Sequence, residues 1–268
     1  MRWQTVRSGR TAQTVRLGKS PLSDRLNHLT ELLSARERGR LLAGCTAVDL
    51  VVGDVLCRRG DTMQHVYFPT DSFISLVTQT EGDPALEVGL IGAEGMLGAS
   101  LALGVGRTPL HALVQGRGAA WRMSGSDFRV QLAERAGLRR IVETYLYVLM
   151  AQLATSAACV RFHEIGPRLA RWLLMTQDRA HAKTIHVTHA FLARMLGVRR
   201  VGITEAAGAL QERGLIAYRR GELQIVDRKG LEDVACSCYA ADESVYSELL
   251  GAGAPPAPRR SVERAGPA

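Results

Sequence analysis

The sequence predicts an α+β protein: an N-terminal, jelly-roll-like β-roll, a long helix, and a C-terminal helix-turn-helix with a wing. Three observations carry this. Brief β-rich runs separated by glycine turns fill the stretch from Val48 to Met123. Apolar residues then recur at three and four from Leu138 to Phe162. The run Thr188 to Ile216 reads as helix, tight turn, second helix.

The 268 residues, 46% of them hydrophobic, suffice for one large or two modest packed domains. Residues 1–22 are polar, basic and aperiodic, as in a disordered tail. A roll domain is expected over 23–126. Ser23 or Asp24 can cap a short helix carrying Leu26, Leu29, Leu32 and Leu33, and a second can run from Ala35 to Leu42. Next come Val48, Leu50 and Val52 before Gly53-Asp54, Val55-Leu56 before Gly60-Asp61, and Val66-Tyr67-Phe68 before Pro69. Phe73 to Val77 precedes Glu81-Gly82-Asp83, and Leu86 to Leu90 precedes Gly92. Short strands with turns at this spacing indicate a roll or sandwich.

From 127 to 162 the strands give way to one long helix. Leu138, Ile141, Tyr145, Val148, Gln152, Thr155, Cys159 and Phe162 form one stripe, and Val142, Leu146, Leu149, Leu153 and Val160 a second. A helix apolar on two stripes needs two partners. The roll can cover one, and the same helix of a second subunit the other, with Ile141, Tyr145, Val148, Gln152, Thr155 and Cys159 as the expected dimer contacts. Burial within one domain is the alternative.

The helix-turn-helix domain is expected over 163–235, entered by a helix from Pro167 to Thr176 with Leu169, Trp172 and Leu173 inward. Thr188 caps the first helix of the pair, Leu192, Met195 and Leu196 line its inner face, and Gly197 supplies the turn's positive φ. Ile203, Ala207 and Leu210 share one face of the second helix, and Gly214 stops it. Ile216 and Tyr218, a turn at Arg220-Gly221, then Leu223 and Ile225 make a hairpin. Residues 236–268 are read as short helices followed by a tail rich in Pro, Ala, Gly and Arg.

Net charge is +8. Much of the surplus lies on this module: Arg194, Arg199, Arg200, Arg213, Arg219, Arg220, Arg228 and Lys229 against Glu205, Glu212, Glu222 and Asp227. A basic helix start and a basic wing fit the phosphates of double-stranded DNA. An ordinary helical hairpin in a core, or a winged helix that meets protein, are the competing readings.

The run Thr188 to Ile216 resembles the C-terminal winged helix of the Crp/Fnr superfamily of bacterial transcription regulators. Gly53-Asp54, Gly60-Asp61, Val66-Tyr67-Phe68 and Ile74-Ser75-Leu76 are similar to the opening strands of that superfamily's cyclic-nucleotide-binding roll. The resemblance implies a homodimeric regulator on a palindromic operator, with RNA polymerase as a further partner and the bacterial cytoplasm as its place. It also implies base reading by Arg200, Val201 and Glu205, with Arg199 near a phosphate. Thr188, His189, Thr204, Gly208, Arg219 and Arg220 complete the expected DNA-binding set. Arginine can bond guanine bidentately, Glu205 can accept from cytosine N4, and Val201 can meet a thymine methyl. Gly202 and Gly208 allow close approach to DNA or local packing on the first helix.

The effector site departs from the family pattern. Cyclic-nucleotide binders use a glutamate for the ribose and an arginine for the cyclic phosphate, and alignment puts Ala99 and Leu110 there. A buried phosphate without its arginine is expensive. Arg107 with Thr108 could substitute, so Gly98, Ala99, Ser100, Arg107, Thr108 and His111 are the candidate pocket, for another ligand or none. The cofactor is therefore unknown, and an effector-independent regulator is an alternative.

Cys45, Cys57, Cys159, Cys236 and Cys238 follow no disulfide framework. Residues 1–44 hold no cysteine, which departs from the N-terminal iron-sulfur group of oxygen-sensing relatives. Cys236-Ser237-Cys238 lacks the spacing of a redox pair and reads as helix surface and core. His181, His186 and His189 could hold a metal, and His65, His111 or His163 a haem, but none sits in a specific motif, so no metal site is expected. An enzyme is not expected either. A metal-dependent β-sandwich needs a His-x-His pair, and residues 45–125 offer only His65 and His111. No apolar run approaches the roughly 20 residues of a membrane span, and residues 1–7 lack a signal peptide's apolar core.

Overall fold

The computed structural model describes residues 26–81, 85–180 and 184–251. The expected tails over 1–22 and beyond 251, the cap at Ser23 or Asp24, Gly82-Asp83 and His181 lie outside the described residues.

Two short helices open the roll, α1 (His28–Glu31) and α2 (Ala35–Ala43). Ser34 caps α2: its hydroxyl accepts from the Glu37 N–H at 3.3 Å and donates to the Glu37 carboxylate at 2.6 Å. Buried Asn27 pins α1 to the roll by donating to the carbonyls of Pro69 (2.9 Å) and Gly95 (2.7 Å).

The strands are β1 (Thr46–Leu50), β2 (Val55–Cys57), β3 (His65–Pro69), β4 (Phe73–Thr78), β5 (Leu86–Ile91), β6 (His111–Gly116) and β7 (Gly118–Ser124). They form two antiparallel sheets, ordered β1-β7-β3 and β2-β6-β4-β5. A 3-10 turn, Ala99–Leu103, sits between β5 and β6. Val66, Phe68, Ile74, Leu76, Ala112 and Val114 fill the space between the sheets, where apolar runs from β3, β4 and β6 converge.

The long helical region is two helices, α3 (Gly125–Glu134) and α4 (Ala136–Phe162), broken at Arg135, whose backbone is extended. An 18-residue window of α4 has mean hydropathy 1.2, so by length and composition it could cross a membrane. The expectation that no segment approaches such a length is thereby corrected. The expected dimer stripe is corrected as well. Tyr145, Val148, Gln152 and Cys159 are buried against this same chain, and Ile141 and Thr155 are half-buried. They face the roll and a returning C-terminal helix, α9 (Cys238–Leu250), which packs along α4. The side of α4 left open carries Glu143, Tyr147, Met150, Ala154, Ala157 and Arg161, spaced alternately by four and three. Tyr147 is 57% and Met150 58% exposed.

The second domain contains α5 (Ile165–Ala180), β8 (Thr184–His186), α6 (His189–Met195), α7 (Arg200–Glu212), β9 (Ile216–Arg219), β10 (Glu222–Ile225) and α8 (Arg228–Val234). Its core of Leu169, Leu173, Leu192, Ile203, Ala207, Leu210 and Leu223 is continuous with Phe73 and Leu90 of the roll. Polar ties cross the same boundary. Arg179 Nε lies 2.8 Å from the Glu94 carboxylate, and the Trp172 indole donates to Glu87 at 2.7 Å.

Glu87 also accepts from Ser75. Burial pushes its carboxyl from 4.5 up to about 7, against the opposing pull of those hydrogen bonds and of Arg179 and Arg171. The folded state therefore holds this proton more tightly than the unfolded chain. The stability so conferred is complete below pH 4.5 and is lost as pH rises through about 7. The linkage has an upper limit of about 3 kcal/mol. Glu87→Gln keeps the shape without the charge. It is expected to raise the thermal midpoint at pH 8 by about 5 °C and to flatten its fall between pH 5 and 8. Thermal unfolding followed by circular dichroism across that range checks this.

Candidate nucleic-acid interface

The Thr188 hydroxyl accepts from the Phe191 N–H at 3.2 Å and so starts α6. Gly197, with φ of 64°, turns the chain, and the Val198 N–H returns to the Ala193 carbonyl at 2.9 Å. An added Cβ at Gly197 would lie 2.8 Å from Leu86 Cδ1, so the turn also rests against the edge of the roll. Helix α7 then leaves at Arg199, its N-cap, which supplies no side-chain bond to the first-turn N–H groups. Those donors and the helix dipole are open to an anion.

Ile203, Ala207 and Leu210 are buried, which turns the opposite face outward. Arg199, Arg200, Val201, Thr204 and Glu205 are exposed, Val201 to 60%. The hairpin β9–β10 stands beside them, and β8 extends it as a third antiparallel strand. Arg220 (φ 53°) and Gly221 (φ 85°) both take left-handed backbone, the two-residue turn that matches strand twist, and Arg219 and Arg220 project from this tip into solvent.

The expected DNA-binding residues separate into two groups. Arg199, Arg200, Val201, Glu205, Arg219 and Arg220 offer free side chains. Thr188, His189 and Thr204 are engaged in building the surface. Thr204 Oγ1 donates to the Arg200 carbonyl at 3.1 Å, so His189 Nδ1, 3.0 Å away, must be the donor to that oxygen. The His189 ring stacks on Tyr218 at 4.6 Å, and the Tyr218 hydroxyl donates to the Val187 carbonyl at 2.9 Å. Burial first, and the Arg200 charge second, lower the His189 pKa, which keeps its ring neutral. His189 thus locks α7 to the wing.

Gly202 and Gly208 have different reasons. A Cβ at Gly202 would meet Ile165 Cδ1 at 2.6 Å, so this glycine serves packing, and against α5 instead of the first helix of the pair. At Gly208 nothing lies within 4 Å, which leaves room for a close external partner. Arg228 does not belong to the free basic surface. It pairs with Asp178 at 2.8 Å and Glu232 at 2.9 Å and donates to Tyr239, tying α8 to α5 and α9.

The six groups expected to form an effector pocket do not present a set of free donors. Ala99 is buried in the roll's core, and an added Cβ at Gly98 would press on Val66 at 2.8 Å. The Thr108 hydroxyl donates to the Leu110 carbonyl at 2.9 Å, and His111 Nδ1 accepts from the Arg59 N–H at 3.4 Å. Ser100 is half-buried, and Arg107 is exposed where its backbone bridges Thr62. A cavity of about 40 Å³ lies elsewhere, between β5 and helices α4, α5 and α6, with Glu87, Cys159, Arg171 and Trp172 in its wall. It holds little more than one water.

Residues 167–234, spanning α5 to α8, match the Crp-like helix-turn-helix domain family. The match is confined to the C-terminal domain, and over the rest of the chain the likeness is one of fold. Three solved structures share the fold over most of the chain. FixK2 from Bradyrhizobium japonicum superposes with a TM-score of 0.61 at 11% identity over 72% of this chain and 98% of its own. A putative transcriptional regulator of the Crp/Fnr family from Eubacterium rectale gives 0.59 at 14% identity over 77% and 96%. The c-di-GMP responsive global regulator CLP of Xanthomonas campestris gives 0.58 at 18% identity over 72% and 99%. The last two of these neighbours are described as regulators. No curated protein sequence matches the chain.

The sequence alone does not reveal one constellation. Cys159, His163, Cys236 and Cys238 come together where α4 ends and α9 begins, with all four candidate ligand atoms within 4.8 Å of one another. The expectation of no metal site rested on spacing along the chain, and these residues are joined only by the return of α9. Of the histidines considered in sequence, His163 joins this cluster instead of a haem, while His186 lies beside Gly221 and His189 on Tyr218.

Proposed function

We propose that this protein is a cytoplasmic homodimeric transcription regulator that reads a palindromic operator through α7 and meets RNA polymerase at promoters. The observation that carries the reading is the undecorated start of α7, where Arg199, Arg200, Val201 and Glu205 are exposed beside an arginine-tipped wing. Arg200 reads guanine, Glu205 cytosine and Val201 a thymine methyl, while Arg199, Arg219 and Arg220 hold phosphates. Gly208 gives the backbone room to approach.

The exposed stripe of α4 joins two copies. Its alternation of three and four is the repeat of a two-stranded coiled coil, and Ala154 and Ala157 allow the helices to approach closely. The roll transmits a signal through its boundary with the winged helix, where Leu86 supports the Gly197 turn and Glu87 holds Trp172. Any change in the position of β5 is therefore felt at α5 and α6.

Selection of a random duplex pool by the purified full chain, followed by anisotropy at several salt concentrations, tests this. The expected product is a palindrome with half-site centres about 34 Å apart. Its affinity should fall steeply with salt. Failure to enrich any sequence, both with and without added small-molecule extract, counts against the reading.

A further inference from the structure

Cys159 lies in the last turn of α4, and His163, four residues on, is that helix's C-cap, so both project from one side of its end. Cys236 and Cys238 bracket the short link between α8 and α9. The link is held in place by the Cys236 N–H, which donates to the Pro167 carbonyl at 3.3 Å, and by α9 packed along α4. Cys159 Sγ is consequently 3.5 Å from Cys236 Sγ, and Cys238 Sγ is 3.4 Å from His163 Nδ1. The three thiols are buried, in a cluster of their own apart from the two main cores, and the imidazole is half-buried.

Core packing gives no reason for this company, because thiols are weak donors and poor acceptors. A tetrahedral ion does. With Zn–S near 2.3 Å and Zn–N near 2.0 Å, neighbouring ligand atoms lie about 3.5–3.8 Å apart. The observed 3.5 and 3.4 Å separations match such edges within a few tenths of an ångström. An iron-sulfur cluster interposes several atoms and needs its ligands further apart. A disulfide needs its sulfurs at about 2.05 Å and leaves the other two groups without a role.

Charge agrees with the geometry. Three thiolates around a divalent cation leave one negative charge, and two buried arginines of α5, Arg168 and Arg171, lie close enough to interact electrostatically with Cys159 and Cys236. Arg171 bonds Asp242 of α9 at 2.6 Å and Ser156 of α4 at 3.3 Å, while its Nε is buried without a hydrogen-bond partner. Asp242 already neutralises Arg171, and a thiolate-rich metal centre supplies a second negative charge shared with Arg168.

We propose that Cys159, His163, Cys236 and Cys238 bind one Zn²⁺ ion in a closed, tetrahedral, structural site. The three thiols release their protons to solvent as the Zn–S bonds form, and the imidazole binds through Nδ1. With four protein ligands no position remains for water or substrate. The ion staples the end of α4 to the chain leaving α8, so that helix and winged helix keep a fixed relation.

The test uses the full chain, purified without chelator and reduced, with metal content measured by mass spectrometry and the same protein reconstituted with Co²⁺. About one zinc per chain is expected, and the cobalt form should show the intense visible bands of tetrahedral thiolate ligation. Cys159→Ser and Cys238→Ser should lose the metal. His163→Ala, at a half-buried position on the helix end, should keep its circular dichroism yet bind zinc at least tenfold more weakly. The proposal is overturned if folded, reduced protein neither carries zinc nor takes it up. It is equally overturned if the bound metal is cluster iron, if His163→Ala and both serine variants retain full zinc, or if Cys159 and Cys236 are found joined as a disulfide.

Discussion

Met150→Arg is expected to leave the fold intact, convert the protein to a monomer, and weaken operator binding at least a hundredfold. The residue is 58% exposed on the open side of α4, so a charged replacement costs the single chain little. In a two-fold dimer the same position meets its own copy, and two arginines in an apolar seam repel each other and lose their water. Separating the copies removes the second half-site contact, and linking two binding modules multiplies affinity by about 10²–10⁴. Sedimentation velocity and duplex anisotropy on the selected operator check both parts. Tyr145→Ala is the contrasting variant. Tyr145 is fully enclosed within the chain, so its loss is expected to destabilise the fold by about 3–5 kcal/mol. A variant at Tyr145 that dissociated the dimer without loss of stability, with Met150→Arg still dimeric, would return the interface to the other stripe.

The second large effect is at the start of the recognition helix. Arg200→Ala is expected to cost about 1–3 kcal/mol of operator affinity, roughly 5- to 150-fold, and to relax the base preference at one position of each half-site. The backbone there does not depend on the side chain: Thr204 and His189 hold the first turn through the Arg200 carbonyl and Thr204 hydroxyl. Arg219→Ala and Arg220→Ala should behave differently. They remove phosphate contacts, so affinity falls alike for all sequences and the salt slope drops by about one per contact. If Arg200→Ala also acted uniformly over all sequences, Arg200 would be a phosphate ligand and the base reading would shift to Val201 and Glu205.

The winged helix was legible because its signals are local. Thr188 as cap, Gly197 at positive φ, the buried spacing of Ile203, Ala207 and Leu210, and the Arg220-Gly221 turn each follow from residues within a few positions. The roll was legible for the same reason, through its turns and short β-rich runs. Engagement of polar groups was not. That Thr188 and Thr204 bond inward, that Arg228 is held by Asp178, and that Thr108 closes on its own loop depend on partners that spacing cannot supply.

By itself the sequence determined the order of elements and the polarity of the recognition surface, since both arise from short-range periodicity, capping and charge. Only the tertiary structure decided which stripe of α4 remains open. Neither apolar stripe read along the chain is the open one: the roll and α9, which packs along α4 from about ninety residues away, cover Tyr145 and Cys159 and leave a third line, with Tyr147 and Met150, outside. The same return made the four-ligand cluster. Cys159 and His163 are an ordinary helical pair, and Cys236 and Cys238 an unremarked link, until long-range packing closes the loop and places their ligand atoms within bonding reach of one ion.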